Sequence, residues 1–166
     1  MPNKTIVLDH DRVQRKLVRI AHQLHEENCD EGGIVLVGIA PRGLTLAKRL
    51  AERIGTDTDL AVQLVELKLD KDAPLERPAG LSVEPSALRD KVVVLVDDVL
   101  MSGRTLMHAA SFLVQVPLKK LTTVVLVDRR HRTYPIRADI VGLTLSTTVQ
   151  EHISVELGRK DTVYLS

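Results

Sequence analysis

Residues 92–105 have the sequence VVVLVDDVLMSGRT, which gives the clearest indication of the fold in this chain. The apolar, β-branched run over residues 92–96 predicts a buried strand of a parallel sheet. Two adjacent carboxylates, Asp97 and Asp98, follow it, and then come a short loop at residues 99–101 and a Ser-Gly-Arg-Thr turn. Apolar residues then recur at helical spacing, at Leu106, Ala109, Ala110 and Leu113. We therefore expect the two acids at the carboxyl end of a central strand, where open α/β sheets bind their ligands.

The turn after the acids has the composition of an anion site. The N terminus of a helix attracts phosphate through its unpaired N–H groups and its partial positive charge. Gly103 lets the backbone approach the anion closely, and Ser102 and Thr105 add hydroxyl donors. The two acids repel phosphate, but they accept hydrogen bonds from a pair of hydroxyls or help to hold Mg²⁺. This combination describes a ribose 5-phosphate site; the alternative is that Asp97 and Asp98 only cap the next helix.

The same segment resembles the phosphoribosyl-diphosphate (PRPP) motif of the type I phosphoribosyltransferases. That motif is a buried strand, two acids, a short apolar step and a Ser/Thr-Gly-x-Thr turn. The resemblance implies Mg²⁺ as cofactor, bound through PRPP, with Asp97 and Asp98 as the candidate protein ligands. It implies that PRPP contacts the following residues of this run: Asp97, Asp98, Val99, Leu100, Met101, Ser102, Gly103, Arg104 and Thr105. Two competing nucleotide motifs, G-x-x-x-x-G-K-[ST] and G-x-G-x-x-G after a strand, are absent from the sequence.

A second candidate anion site lies in the loop at residues 38–43, which have the sequence GIAPRG. The loop follows an apolar run at residues 34–37 and precedes a helical pattern, so it repeats the geometry of a strand end. Its two glycines leave backbone N–H groups free to face a diphosphate, and Arg42 adds a charged donor. In the resembled family this loop contacts pyrophosphate. We therefore expect PRPP to contact Ala40, Pro41, Arg42 and Gly43, with Arg42 joining Asp97 and Asp98 as a catalytic residue.

Residues 125–142 have the sequence VLVDRRHRTYPIRADIVG, and they indicate which branch of the family the chain resembles. They are similar to the corresponding segment of the bifunctional pyrimidine-operon attenuator and uracil phosphoribosyltransferase family. The resemblance implies a base pocket formed by Arg129, Ile136, Arg137, Asp139, Ile140 and Val141. This chain departs from the family pattern with Met101 for a Tyr, Ser102 for a Thr, Arg130 for a Gly and Ile140 for an aromatic residue. Residues 67–70 also lack the Tyr-Arg pair that the family pattern has at the base of the flexible loop.

Composition limits the class of protein. A chain of 166 residues predicts one domain, residues 1–166, with a core of its own. The chain has 23 Lys and Arg against 22 acids, and this balance argues against a dedicated nucleic-acid binder, although not against a local basic patch. The single Cys29 excludes an intrachain disulfide framework and indicates a cytoplasmic protein. We expect no signal peptide and no membrane span, because the N terminus is polar and no apolar run approaches the required length.

The order of elements predicts an α/β fold. Val13, Leu17, Ile20 and Leu24 form a helical stripe with Asp9 or Asp11 as its cap, and a second helix covers residues 44–54. Further strands are expected at residues 60–68, 122–127, 139–143 and 162–165. This alternation predicts a three-layer sandwich around a mainly parallel, twisted sheet of the type I phosphoribosyltransferase kind, with a small flexible hood or loop. Residues 70–90 are expected to be a flexible active-site loop that contains a short β-hairpin.

These features predict a phosphoribosyltransferase that moves the 5-phosphoribosyl group of PRPP to a nucleobase, with uracil, giving UMP, as the first candidate. Two alternatives stay open. One is a PRPP- or nucleotide-sensing attenuator of pyrimidine genes that binds RNA through Arg12, Arg15, Lys16, Arg19 and residues 129–132, although the near-neutral charge does not favour RNA. The other is a purine phosphoribosyltransferase. The resemblance also implies a homodimer or a higher homo-oligomer.

Overall fold

The computed structural model describes residues 3–166. Within this range the elements are β1 (Thr5–Leu8), α1 (His10–Asn28), β2 (Ile34–Ile39), α2 (Arg42–Asp57), β3 (Val62–Lys68), β4 (Gly80–Leu81), β5 (Val92–Leu100), α3 (Arg104–Leu113), β6 (Lys120–Asp128), β7 (Ile140–Thr144), β8 (Ile153–Glu156) and β9 (Thr162–Leu165). A short 3-10 helix at Pro85–Leu88 precedes β5. No helix among residues 3–166 combines the length and the apolar character that a membrane crossing needs.

The main sheet has six strands in the order β4-β3-β2-β5-β6-β7. The five longer strands run parallel, while the two-residue β4 runs antiparallel to β3. The hairpin expected inside residues 70–90 is wrong in its bounds, because β4 pairs with Leu67 and Lys68, outside that loop. β5 is central, with β2 on one side and β6 on the other. The carboxyl ends of the parallel strands therefore meet at one edge of the sheet, and the predicted mainly parallel α/β fold is confirmed.

The strands of this sheet are buried on both faces. Along β5, Val92, Val94 and Val96 join the core beneath α1 and α2, whereas Val93 and Leu95 join the core beneath α3. This alternation follows from the two-residue period of a strand. Helices therefore cover both faces and make the three layers. No aromatic side chain is among the buried hydrophobic residues of the described chain, so aliphatic side chains build the core. Each fully buried Val or Leu contributes about 1.5–3 kcal/mol relative to an exposed one.

Local signals set the ends of two elements. The Asp9 carboxylate accepts a hydrogen bond of 2.9 Å from Arg12 N–H, so Asp9 is the cap of α1, and the predicted apolar stripe of that helix is buried. The loop predicted at residues 99–101 starts later than expected, because β5 continues to Leu100. Pairing of Leu100 with Asp128 of β6 extends the strand beyond the two acids.

A second, antiparallel sheet has three strands in the order β1-β9-β8, and we call it the hood. Of its strands, β9 was expected from the sequence. The buried carboxylate of Asp161, just before β9, anchors the hood to the helices. It accepts hydrogen bonds from Gln14 Nε2 at 2.7 Å and from Arg49 Nη2 at 3.2 Å, on α1 and α2 respectively. Backbone bonds between His152 and Ser166 continue the pairing of β8 and β9 toward the main sheet.

Candidate functional site

A cavity of about 380 Å³ opens at the carboxyl edge of the main sheet. Its walls come from the end of β5, the start of α3, the loop after β3 and, in the hood, the start of β8. The lining residues are Arg42, Lys71, Asp72, Asp97, Asp98, Val99, Leu100, Met101, Ser102, Gly103, Arg104, Thr105, Leu106, Val125, Arg129, His152 and Ile153. A second cavity, of about 430 Å³, lies at the opposite edge of the sheet, near Gly33 and Lys91. We regard the first as the candidate site because the sequence motif lies in it.

Asp97 and Asp98 form the floor of this cavity and are 3% and 5% exposed. The Asp97 Oδ1 atom accepts a hydrogen bond of 2.9 Å from the Asp98 N–H, and Lys71 Nζ lies 3.6 Å from the same oxygen. The first turn of α2 packs directly against this strand end at Gly43. A Cβ atom at Gly43 would lie 2.6 Å from the Val96 carbonyl oxygen, so only glycine allows this approach.

Burial and a neighbouring carboxylate disturb the ionisation of Asp97. Burial, and then the negative charge of Asp98, raise the pKa of Asp97 to about 7, and the Lys71 ammonium opposes this shift. Such a raised pKa means that the pair is costly to keep fully ionised without a cation. A carboxylate with a strongly shifted pKa in a cleft marks a candidate functional site.

The raised pKa predicts how stability depends on pH. An unfolded Asp loses its proton near pH 3.8, but Asp97 in the folded protein keeps it to about pH 7. Its contribution to stability is therefore complete at low pH and is lost as the pH rises through about 7. We expect urea unfolding to show that an Asp97→Asn variant gains stability relative to the unmodified protein between about pH 5 and pH 7.5. Parallel pH profiles for the two proteins would contradict the shift.

The turn at residues 101–105 has the geometry of an anion site. Gly103 has φ +87° and immediately precedes α3. The Arg104 N–H donates to Ser102 Oγ at 3.2 Å, and the first intrahelical bond runs from Met107 N–H to the Gly103 carbonyl at 2.9 Å. The amides before Met107 thus lie at the start of the helix, where N–H groups have no intrahelical acceptor. Because this turn lines the cavity, the partial positive charge of the helix start acts on the cavity.

The loop after β6 holds this turn from outside. The N–H groups of Thr133 and Tyr134 donate to the Ser102 carbonyl at 2.9 and 3.0 Å. Arg132 donates through Nη1 to the Met101 carbonyl at 2.9 Å and through Nη2 to an Asp128 carboxylate oxygen at 2.8 Å. The backbone of the turn is therefore fixed by several bonds, which favours a preformed site over one that forms with the ligand.

Arg129 connects the turn to the opposite wall. Its side chain is almost completely buried and donates to Thr147 Oγ1 at 3.0 Å and to the Thr148 carbonyl at 3.3 Å. Its Nη1 atom lies 2.8 Å from Met101 Sδ. These contacts fix the segment that leads into His152 and Ile153, so Arg129 positions two parts of the cavity wall at once.

The structure brings most of the predicted PRPP residues together. Asp97, Asp98 and the seven residues that follow them line the cavity, as does Arg42 at the start of α2. Ala40, Pro41 and Gly43 lie beside Arg42 at the end of β2, where the Ala40–Pro41 peptide is cis. The two predicted anion loops are thus neighbours at one edge of the sheet, because β2 and β5 are adjacent and parallel.

The predicted base residues lie in different places, and their role in binding a base stays a prediction. Arg129 lines the cavity, whereas Ile136 and Arg137 line a separate open concavity with Tyr134. Asp139, Ile140 and Val141 lie further away, because β7 starts beside the middle of β6, with Ile140 opposite Val124. Ile140 is buried in the core, and the Asp139 carboxylate accepts hydrogen bonds from Thr123.

Sequence patterns missed several residues that line the cavity, notably Lys71, His152 and Ile153. Lys71 lies within the long loop that was expected near the site, but nothing in the sequence distinguishes it from the other charged residues there. His152 and Ile153 reach the cavity through the pairing of the hood, which is a tertiary contact. A local motif carries no signal for such a contact.

The donor atoms of the cavity fit a cation that brings other ligands with it. Among residues 3–166, no group of three or more His, Cys, Asp or Glu side chains is placed to hold a metal ion. Asp97 and Asp98 alone offer oxygen ligands of the kind that Mg²⁺ accepts, usually one or two carboxylates together with water and substrate phosphates. The residues therefore fit Mg²⁺ bound with a phosphorylated substrate rather than in a closed protein cage.

Comparison with known proteins identifies the family. The phosphoribosyl transferase domain family matches residues 3–159. The chain belongs to the type I phosphoribosyltransferase family. The Bifunctional protein PyrR of Bacillus subtilis (strain 168) is 39% identical, over 97% of this chain and 94% of that protein. The Bifunctional protein PyrR of Pelotomaculum thermopropionicum is 41% identical, over 95% of this chain and 91% of that protein.

Solved phosphoribosyltransferase structures have the same fold. The hypoxanthine phosphoribosyltransferase of Trypanosoma cruzi has a TM-score of 0.76 at 18% identity, covering 85% of this chain and 81% of its own. A hypoxanthine phosphoribosyltransferase of Staphylococcus aureus has a TM-score of 0.73 at 20% identity, covering 87% and 79%. Identities this low show a shared fold only, and the shared fold is the one that the sequence predicts.

Proposed function

We propose that this phosphoribosyltransferase transfers the 5-phosphoribosyl group from Mg²⁺-bound PRPP to uracil, forming UMP and pyrophosphate. The observation that carries the proposal is the buried acid pair, Asp97 and Asp98, beside the amide-lined turn at residues 101–105 within one cavity. Carboxylates that accept from a sugar diol, next to amides that bind a phosphate, form a complementary site for ribose 5-phosphate.

The proposed substrate position follows from the charges of the cavity. The 5-phosphate binds the amides and hydroxyls of residues 101–105, at the positive end of α3. Asp97 and Asp98 accept hydrogen bonds from the ribose hydroxyls, directly or through metal-bound water. The diphosphate lies toward the loop at residues 40–43, where Arg42 donates to it. Mg²⁺, when bound, supplies positive charge against the diphosphate as it leaves.

In the proposed reaction the bond between ribose C1 and the diphosphate oxygen breaks, and its electron pair leaves with pyrophosphate. A base nitrogen forms the new bond to C1, which has gained positive character, and the proton of that nitrogen passes to the departing pyrophosphate or to solvent. The buried carboxylates face this charge in a poorly solvated cavity, where fixed charges act strongly. We propose that the loop at residues 70–90 closes over the cavity and excludes water that would otherwise hydrolyse the ribosyl cation.

For the acceptor base, we propose the end of the cavity near Arg129, His152 and Ile153. Arg129 connects the turn at residues 101–105 to this wall of the cavity, and Ile153 adds an apolar surface to the polar groups of Arg129 and His152. The sequence similarity around residues 125–142 supports uracil as the base. A purine is the runner-up, because the solved structures with this fold include hypoxanthine phosphoribosyltransferases.

The acceptor is tested by incubating the protein with Mg²⁺-PRPP and, separately, uracil, hypoxanthine, guanine, adenine and orotate. We expect UMP to form fastest, with pyrophosphate released in equal amount. Faster formation of a purine nucleotide would replace uracil with that purine. If no base gives a nucleotide while PRPP is bound, the catalytic proposal fails.

A second proposed function is binding of RNA, and the exposed face of α1 supports it. Arg12, Arg15, Lys16 and Arg19 line an open groove of about 550 Å³ with Val7, Leu8, Leu143 and Leu145. The word bifunctional in the names of the relatives also favours a second activity. Of the predicted loop residues, Arg129 is buried and Arg132 is paired with Asp128, so they add little to such a surface. RNA held by phosphate contacts would be released steeply as salt is raised.

A further inference from the structure

Lys71 has a fixed position in the loop that follows β3. The Asp70 carboxylate accepts hydrogen bonds of 3.0 Å from the N–H groups of both Asp72 and Ala73, which closes a tight turn around Lys71. These bonds also hold the pKa of Asp70 below its usual value. On the other side, Arg104 Nη2 donates to the Asp72 carbonyl at 2.9 Å. The turn is therefore tied to the first residue of α3, and its backbone cannot leave the cavity while these bonds hold.

The Lys71 side chain extends from this turn to the acid pair. Its ammonium nitrogen is 3.6 Å from Asp97 Oδ1, and the Asp97 side chain is only 5% exposed. Among the described residues, Lys71 is the cation that pairs with this carboxylate. Two of the three lining arginines are engaged differently, since Arg104 donates to the Asp72 carbonyl and Arg129 to carbonyls of residues 148 and 151. The ammonium thus lies where a divalent cation would have to approach Asp97.

We propose that Lys71 is an internal counter-ion of Asp97 that a divalent cation displaces when substrate binds. This inference rests on the proposed function for the identity of the substrate. Before binding, the ammonium offsets the charge of a carboxylate that would otherwise be buried and unpaired, which is costly. After displacement, the ammonium faces the diphosphate of PRPP, so the same charge positions the substrate.

The chemistry of lysine suits this exchange. Lysine carries a compact charge on a flexible four-carbon chain, so its ammonium can change partners while the backbone of the turn stays in place. An arginine fixed in a two-point contact with a carboxylate would hold its partner more rigidly. Lys71 and a divalent cation therefore compete for Asp97, and removal of the ammonium strengthens binding of the cation in the absence of PRPP.

The test uses Mn²⁺ alone as the probe, titrated into the full chain without PRPP and followed by electron paramagnetic resonance. We expect Lys71→Met to bind Mn²⁺ about tenfold more tightly than the unmodified protein, which corresponds to a modest coupling free energy between competing sites. The control is Lys68→Met, since Lys68 is 79% exposed and lies 3.7 Å from Glu66, outside the cavity. We expect this control to bind Mn²⁺ like the unmodified protein.

The double variant Lys71→Met/Asp97→Asn locates the effect. We expect it to lose the gain, because the carboxylate released by the first substitution is absent. Equal Mn²⁺ affinity in Lys71→Met and the unmodified protein would overturn the proposal, and so would a gain that survives in the double variant. Far-ultraviolet circular dichroism checks that all variants are folded. Since no phosphoribosyl transfer is measured, failure of this test and failure of the uracil assay are distinguishable.

Discussion

Replacing Asp97 or Asp98 with asparagine is expected to lower the rate of Mg²⁺-PRPP-dependent nucleotide formation by about 100-fold or more. Each substitution removes a charge from the cavity floor while preserving the size of the side chain. The amide that replaces the carboxylate stabilises positive charge on the ribosyl group less well, and it is a weaker acceptor for the ribose hydroxyls. Single-turnover kinetics with saturating PRPP would separate this effect from weaker binding.

A matched control is Asp59→Asn, because Asp59 is fully exposed and lies far along the chain from the cavity, at the end of α2. We expect this variant to keep the rate of the unmodified protein. Thermal unfolding would confirm that the three variants are folded at the assay temperature. Rates unchanged by either substitution in the acid pair would remove the main support for the proposed function.

Substitution of Gly103 by alanine is expected to lower the free energy of unfolding by about 2 kcal/mol or more. The backbone at Gly103 has φ +87°, which is unfavourable for residues with a Cβ atom. The added Cβ would lie 2.7 Å from Ile136 Cγ2 and 3.2 Å from the Tyr134 carbonyl oxygen. The loop after β6 would have to move away, and the anion turn that it holds would lose its fixed position.

We therefore expect Gly103→Ala to raise the KM for PRPP as well, by about tenfold, since a small displacement of oriented donors is costly. The control is Gly80→Ala, because a Cβ atom at Gly80 would meet no atom of the described chain within 4 Å. Urea unfolding of the two variants gives the comparison. Similar losses of stability at both positions would show that the geometry described for Gly103 is wrong.

Much of the fold could be predicted because its signals are local. The apolar run at residues 92–96 and the helical stripe beginning at Val13 follow directly from the periods of strands and helices, and both are buried as expected. The acid pair and the turn after it also lie together because they are consecutive in sequence. Local sequence therefore determined the part of the site formed by one strand end and one helix start.

The predicted base residues show what local sequence leaves undetermined. The similarity around residues 125–142 locates a segment, but it does not give the register of β7 against β6. That register places Ile140 in the core, whereas the hood places His152 and Ile153 at the cavity. Both outcomes depend on pairing between segments that are distant in the chain, and such pairing is decided by the packing of the whole domain.

Arg130 shows how the structure explains a departure from the family pattern. The family usually has glycine at this position, and Arg130 here has φ +62°, in the left-handed region. The Asp128 carboxylate accepts a hydrogen bond of 2.9 Å from the Arg130 N–H and so stabilises the turn. A left-handed backbone suits glycine better than arginine, so glycine is the less strained choice at this position.

A crystal structure of the complex with Mg²⁺-PRPP would show whether the cavity beside Asp97 and Asp98 binds the ribose phosphate of PRPP. We expect the 5-phosphate within hydrogen-bonding distance of the amides of residues 103–105. We also expect both ribose hydroxyls to face the two carboxylates. PRPP bound at another edge of the sheet, or bound here with its diphosphate on that turn, would contradict the proposed function.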